Sequence, residues 1–325
     1  MADAPRVLLT TPWPERAVAA MREHFDLDVH EGPLPMPEDK WLTAIKEYDA
    51  IAPTVIDQIP AAAYLAADNR TKIFGNFGVG YNHIDMEAAR AGGLRVSNTP
   101  GVLTDATADQ AIGLLLAVAR GISLGDWNIR AGEWQGWNPT DRLGTHVTGA
   151  TLGIIGFGRI GQAMAKRCHF GFDMPVVFFN RSKIDPEVAA AYGAKQLDSI
   201  EAVLAEADFV SLHCPGGGAN RHLMNAARFR AMKPTAFLIN TARGDVVDEA
   251  ALVAALKSGE LAGAGLDVFE NEPNVHPDLA TLKNCVLNPH LGSATESTRT
   301  DMGLMVMNNL LAFFDQKPLP NEVTS

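Results

Sequence analysis

The chain has 325 residues, 47% of them hydrophobic and 20% charged, with a formal net charge of −11. That length suggests two domains, and this balance of apolar and charged residues excludes a disordered chain. An anionic protein gains nothing from the field of nucleic acid or of an acidic membrane, so neither is expected as a partner, whereas a single local Arg suffices to draw in a small anion.

Arg6-Val7-Leu8-Leu9-Thr10 reads as a first strand, and no charged-then-apolar leader precedes it. Strands are predicted at Val7–Thr10, Asp28–His30, Ala50–Ala52, Lys72–Phe74 and Arg95–Ser97, with helices at Glu15–His24 and Trp41–Tyr48 between them. Alternation of this kind marks βαβ units and a parallel sheet. A long helix is predicted over Thr104–Arg120, with Leu114, Ala117 and Val118 on one face and Ala111 and Leu115 on its flank. Its apolar run, Ala111 to Ala119, is about half the ~18 residues a membrane span needs, so a cytoplasmic protein is expected. The segment from Gly132 to Pro139, rich in Gly and Trp, reads as irregular structure.

A second α/β series begins at Thr151, with strands at Leu152–Ile155, Val176–Phe179, Phe209–Leu212, Ala236–Ile239, Ala264–Asp267 and Cys285–Leu287. Six strands with intervening helices make a doubly wound nucleotide fold. One more helix is predicted over Thr295–Phe314, its Met302, Met305 and Leu310 serving as core filler. Cys168, Cys214 and Cys285 are widely spaced and form no Cys-x-x-Cys pair, which excludes a zinc ribbon; no metal site is expected.

The strongest local signal is Gly156-Phe157-Gly158-Arg159-Ile160-Gly161, which follows an apolar strand and opens a helix. Gly156 allows the tight turn, Gly158 the approach of a pyrophosphate, and Gly161 close helix–strand packing, while the helix N-terminus offers N–H groups to an anion. The next strand ends in Asn180-Arg181-Ser182-Lys183, without the Asp or Glu that holds the ribose hydroxyls of NAD. These residues suit a 2′-phosphate, so NADPH is the expected cofactor and NADH the alternative.

Arg243, Asp267 with Glu270 and Glu272, and His290 follow three successive predicted strands at one sheet edge. Reducing a 2-keto acid takes a hydride from the cofactor and a proton for the keto oxygen. His290 suits the proton, Arg243 offers a fork that matches a carboxylate, and a carboxylate beside His290 orients it. By residue type alone both Glu270 and Glu272 are candidates for that carboxylate.

From Gly78-Val79-Gly80-Tyr81-Asn82-His83-Ile84-Asp85, through the glycine loop and Asn240-Thr241-Ala242-Arg243-Gly244, to His290-Leu291-Gly292-Ser293-Ala294, the chain resembles the D-specific 2-hydroxyacid dehydrogenases. Within them it is most similar to the glyoxylate/hydroxypyruvate reductases and D-glycerate dehydrogenases. The resemblance implies two Rossmann-like α/β domains with parallel sheets and the active site in the interdomain cleft. The nucleotide domain is expected over 103–290 and the discontinuous substrate domain over 1–102 plus 291–325. It implies Arg243, Glu272 and His290 as catalytic residues, with Glu272 chosen over Glu270 because it precedes Pro273. It implies substrate contacts from the Val79 and Gly80 N–H groups and from Arg243. Cofactor contacts are expected at Gly156, Gly158, Arg159, Ile160, Gly161, Asn180, Arg181, Ser182, Pro215, Thr241, Asp267, His290 and Gly292. It also implies a homodimer joined through the helix 104–120 and the Trp134–Trp137 arm, with Trp137 the candidate to reach the neighbour's substrate site. The stretch Gly216-Gly217-Gly218-Ala219-Asn220-Arg221 departs from the family pattern, and His213 reads as a packing residue. Two alternatives stay open: a dinucleotide-sensing interaction protein of the same fold, and a reductase of bulkier keto acids.

Overall fold

The computed structural model describes residues 4–65 and 68–324. The chain divides into two compact units, Met1–Leu103 with Ala294–Ser325, and Thr104–Ser293.

The first unit carries β1 (Arg6–Leu9), α1 (Glu15–Arg22), β2 (Asp26–Val29), α2 (Glu38–Glu47), β3 (Ala50–Ala52), α3 (Ala61–Leu65), β4 (Ile73–Gly75), α4 (Met86–Ala91) and β5 (Arg95–Ser97). The strands form a parallel sheet in the order β2-β1-β3-β4-β5. Side-chain alternation along β1 divides the apolar residues between two faces. Val7 and Leu9 join Val18, Met21, Val306 and Leu310 on one face, and Leu8 joins Trp41, Ile45 and Phe74 on the other.

The second unit carries α5 (Thr104–Arg120), α6 (Ile122–Arg130), β6 (Leu152–Ile155), α7 (Arg159–Phe172), β7 (Val176–Phe179), α8 (Pro186–Ala190), β8 (Ala194–Gln196), α9 (Ile200–Glu206), β9 (Phe209–Leu212), α10 (Ala226–Ala231), β10 (Phe237–Asn240), α11 (Glu249–Ser258), β11 (Gly263–Leu266) and β12 (Cys285–Leu287). A last helix, α12 (Glu296–Phe314), returns to the first unit, and the Thr295 side chain caps it by accepting from the Thr298 N–H. The seven strands of the second unit are parallel, in the order β12-β11-β10-β9-β6-β7-β8. The order reverses between β6 and β9, which opens a crevice beyond their carboxyl ends, where nucleotides bind in sheets of this type.

Most predicted elements recur with ends displaced by one to three residues. The predicted six-strand sheet has a seventh strand, β8, whose Ala-Lys-Gln sequence has little strand propensity and pairs only at the edge. Helices α3, α4, α6 and α8 were not anticipated. Gly121, at φ 63°, ends α5, and the chain re-enters a helix bent away by 64°. The expected face of α5 is also corrected. Thr107, Ala108, Ala111, Leu114, Leu115 and Ala119 are buried, while Ala117 and Val118 are only half-buried. Leu114 and Val118 nevertheless both pack on β11, where a Cβ on Gly265 would lie 2.9 Å from the Leu114 Cβ and one on Gly263 2.8 Å from the Val118 Cγ2. Among the described residues no single helix is long and apolar enough to cross a membrane.

Candidate active site

All seven strands of the second unit run the same way, so every strand-to-loop exit lies at one edge. Gly156 follows β6, Arg243 lies three residues beyond β10, Asp267 follows β11, and His290 lies three residues beyond β12.

Gly156 adopts φ 96°, and a Cβ there would meet the His213–Cys214 backbone at 2.7–2.8 Å, so only glycine lets the turn pass. Gly161 lies against the Gly156 carbonyl, which seats α7 on β6. Around Gly158, by contrast, no atom lies within 4 Å of the Cβ position, and Gly158 caps α7 with no side-chain acceptor. The first N–H groups of this 14-residue helix therefore face open space, as a bound pyrophosphate requires. At the end of β10 the buried Thr241 Oγ1 has no hydrogen-bond partner. An open helix N-terminus, a glycine that admits a close ligand and an orphaned buried hydroxyl together suit a dinucleotide.

The residues after β7 divide into two roles. Asn180 Oδ1 accepts from the Phe157 N–H at 3.2 Å, and its Nδ2 donates to Ser182 O and Oγ at 3.1 and 3.0 Å. Both amide hydrogens are thus engaged inside the turn. Asn180 ties the glycine loop to the end of β7. The Ser182 hydroxyl accepts and keeps its own hydrogen. Arg181 is exposed, makes no hydrogen bond or ion pair among the described residues, and its charge reaches Cys214 beside the Gly156 turn.

His290 and Glu272 form the centre of the site, with His290 Nδ1 lying 2.8 Å from Glu272 Oε2. Glu272 Oε1 accepts from the Phe269 N–H at 2.9 Å, so both its oxygens are in use. Burial pushes Glu272 up, but the His290 hydrogen bond and charge, the Phe269 N–H and Arg243 outweigh it and hold the carboxyl below the ordinary Glu range. Glu270, the competing candidate, turns elsewhere, its Oε1 lying 2.7 Å from both Arg221 Nη2 and His222 Nε2.

His290 sits at φ 55°, an unfavourable conformation for a residue with a side chain. Asp267 holds it there. The Asp267 carbonyl accepts from the His290 N–H at 2.9 Å, and its carboxylate oxygens accept from the Leu291 and Gly292 N–H groups at 2.7 Å each. Burial raises the Asp267 carboxyl above the ordinary Asp range against those bonds. Arg243 is held by a turn that sequence reasoning passed over. Buried Asn240 accepts from the Ala242 N–H at 3.0 Å and donates to the Arg243 carbonyl at 2.9 Å. Its signal was an Asn ending a strand, where its side chain can close a turn. Burial lowers the Arg243 guanidinium from its ordinary value, against the charges of Glu272 and Asp245.

Residues 112–292 match the family model described as D-isomer specific 2-hydroxyacid dehydrogenase, NAD binding domain. The chain belongs to that family. It is 44% identical over 323 residues to the glyoxylate reductase of Thermococcus litoralis, covering 98% of this chain and 96% of that one. A solved structure from Thermus thermophilus superposes with a TM-score of 0.90 at 43% identity, covering 98% of this chain and all of that one. The NADPH-dependent glyoxylate/hydroxypyruvate reductase from Sinorhizobium meliloti, solved with NADP and malonate, gives 0.85 at 34% identity over 99% and 97% of the two chains. As a D-2-hydroxyacid dehydrogenase, the protein is an NAD(P)-dependent enzyme with an α/β architecture.

The atypical glycine stretch of this dehydrogenase has a local cause. A Cβ on Gly216 would lie 2.8 Å from the Arg243 Cβ and 2.5 Å from an Asp245 carboxylate oxygen, so the loop rests directly on the Arg243 stem. Asp245 Oδ2 accepts from the Gly217 N–H at 2.7 Å and holds it there. His213 donates to or accepts from Ser211 Oγ at 2.9 Å through Nε2, and burial pushes its ring down to about 4, so it is a neutral packing residue. Trp137 lies in the second unit and is 84% exposed.

Proposed function

We propose that this dehydrogenase reduces glyoxylate or hydroxypyruvate to glycolate or D-glycerate, with NADPH preferred. The observation that carries the reading is the His290–Glu272 pair, set at the same sheet edge as Arg243 and the glycine loop. The similarity to a glyoxylate reductase and to a glyoxylate/hydroxypyruvate reductase supports it. When bound, the nicotinamide supplies the hydride to the carbonyl carbon. Arg243 grips the substrate carboxylate and polarises the keto oxygen with its planar fork. In the first unit, Val79 and Gly80 are candidates for binding a substrate carboxylate through their backbone N–H groups. Glu272 engages His290 at Nδ1, which leaves Nε2 to deliver the proton to the keto oxygen. Steady-state assays of glyoxylate, hydroxypyruvate, pyruvate and phenylpyruvate with both cofactors test this. The two small acids should give the highest kcat/KM, and a preference for phenylpyruvate would overturn the assignment.

The cofactor preference rests on Arg181. Unpaired and exposed after β7, it is free to form a charge-assisted fork with a 2′-phosphate. One such bond is worth roughly 1.5–3 kcal/mol, which implies at least about a tenfold preference for NADPH in kcat/KM. Arg181→Ala should raise the KM for NADPH about tenfold and leave that for NADH almost unchanged. Equal kcat/KM for the two cofactors in the unmodified enzyme contradicts the preference.

The active form is a homodimer in this proposal. Ile122, Trp127, Ile129, Trp134, Trp137 and Leu143 are all exposed within a short stretch of one unit, more apolar surface than a lone subunit ordinarily leaves in water. Light scattering at micromolar concentration should report twice the chain mass. Trp137→Ala should raise the KM for the keto acid without changing that mass, if the ring reaches the neighbouring site. A monomer that is fully active refutes both points.

A further inference from the structure

The loop that follows β4 has an unusual pattern of bonds. Asn76 is fully buried, and its Nδ2 donates to two carbonyls of the loop, Gly78 O at 3.0 Å and Gly80 O at 3.1 Å. Asn98 Nδ2 donates to the carbonyl between them, Val79 O, at 2.9 Å. The Thr99 N–H also donates to Gly78 O at 3.0 Å. Three consecutive carbonyls are therefore drawn toward the protein. In a trans peptide the N–H points opposite to the C=O of the preceding residue. Binding Gly78 O thus turns the Val79 N–H outward, and binding Val79 O turns the Gly80 N–H outward. Neither N–H makes a hydrogen bond among the described residues. Two successive outward N–H groups of this kind can meet a single anion.

The orientation of the Asn76 amide follows from the same bonds, since a flipped amide would face its oxygen to two carbonyl oxygens. The amide oxygen Oδ1 is left buried without a partner. Buried polar atoms are ordinarily satisfied, so an Asn kept at this position despite an orphaned oxygen points to a demand on its two donors.

We propose that Asn76 is a positioning residue for the substrate carboxylate, aiming the Val79 and Gly80 N–H groups by tethering the loop carbonyls, with Asn98 as the third tether. The proposal rests on the reading that this loop binds the carboxylate. Asn76→Ala removes both donors and frees the loop. The KM for glyoxylate should rise about tenfold or more, while the KM for NADPH and the binding of NADPH followed by fluorescence stay within about twofold. A merely structural Asn76 would lower the melting temperature and the active fraction and leave the glyoxylate KM unchanged, which overturns the proposal. Asn76→Ser, which keeps one hydroxyl donor, should give a smaller rise, and it serves as the test if the Ala variant does not fold. Val79→Pro deletes one of the N–H groups outright and separates the two levels. If it raises the glyoxylate KM and the Asn76 variants do not, the tether is wrong and the carboxylate site stands. If neither change moves that KM, the loop does not bind the carboxylate and the tether has no role.

Discussion

His290→Ala is expected to lower kcat by roughly 10²–10⁴, the usual share of a positioned general acid. Glu272→Gln should also lower turnover, for a reason visible in its contacts. Glu272 accepts from Phe269 N–H through one oxygen and contacts His290 Nδ1 through the other. A Gln has one acceptor and one donor at those positions, so one of the two neighbours would face an NH₂ group. Because burial is outweighed and the folded Glu272 carboxyl titrates below the ordinary Glu range, its contribution to stability is fully present above about pH 4.3. It is lost only as pH falls through the depressed folded value. Removing the charge by Glu272→Gln should therefore flatten the acid side of the stability profile. Near-normal turnover of a folded His290→Ala enzyme sinks the acid assignment.

The second unit was legible in the sequence because its strands are continuous apolar runs, as fully buried parallel strands must be. Val176-Val177-Phe178-Phe179 and Phe209–Leu212 read as strands without help from any neighbour. The edge strand β8 did not, since Ala194-Lys195-Gln196 is half in water and pairs on one side only. The face of α5 was legible at Leu114 and Val118, which pack on β11, but it is wider than helical spacing suggested and also buries Thr107, Ala108 and Ala119.

At the site, His290 and Arg243 stood out as candidates from their places after strands, and the choice of Glu272 over Glu270 came only from the family resemblance, in which the Glu precedes a Pro. What residue types alone did not reveal is the supporting layer. Asn240 closes the turn behind Arg243, Asp267 fixes the strained turn of His290, and Asn180 binds the glycine loop from within. Each does so through backbone groups, and backbone hydrogen bonds leave little trace in side-chain composition. The same limit applied to Gly216, whose lack of a side chain is explained only by the Arg243 stem lying against it.

Arg243→Lys is the second large effect expected. Lys keeps the positive charge but replaces a planar fork with a single ammonium, which cannot hold a carboxylate oxygen and a keto oxygen in one plane. Losing one charge-assisted bond, worth roughly 1.5–3 kcal/mol, should lower kcat/KM for glyoxylate by about 10–10²-fold. Both parameters should share the loss. The carboxylate contact is made in the ground state and moves KM, whereas the contact with the keto oxygen strengthens as charge develops there and moves kcat. The site should tolerate the Lys structurally, because Asp245 and Glu272 offer it the same opposite charges that surround Arg243. The Gly216–Gly217 loop rests on the Arg243 stem, which Lys largely reproduces, so the affinity for NADPH should stay close to that of the unmodified enzyme. A Lys variant that retains both the KM and the kcat for glyoxylate would show that the fork is not the carboxylate anchor. A variant that loses NADPH affinity instead would assign Arg243 to the support of the cofactor loop.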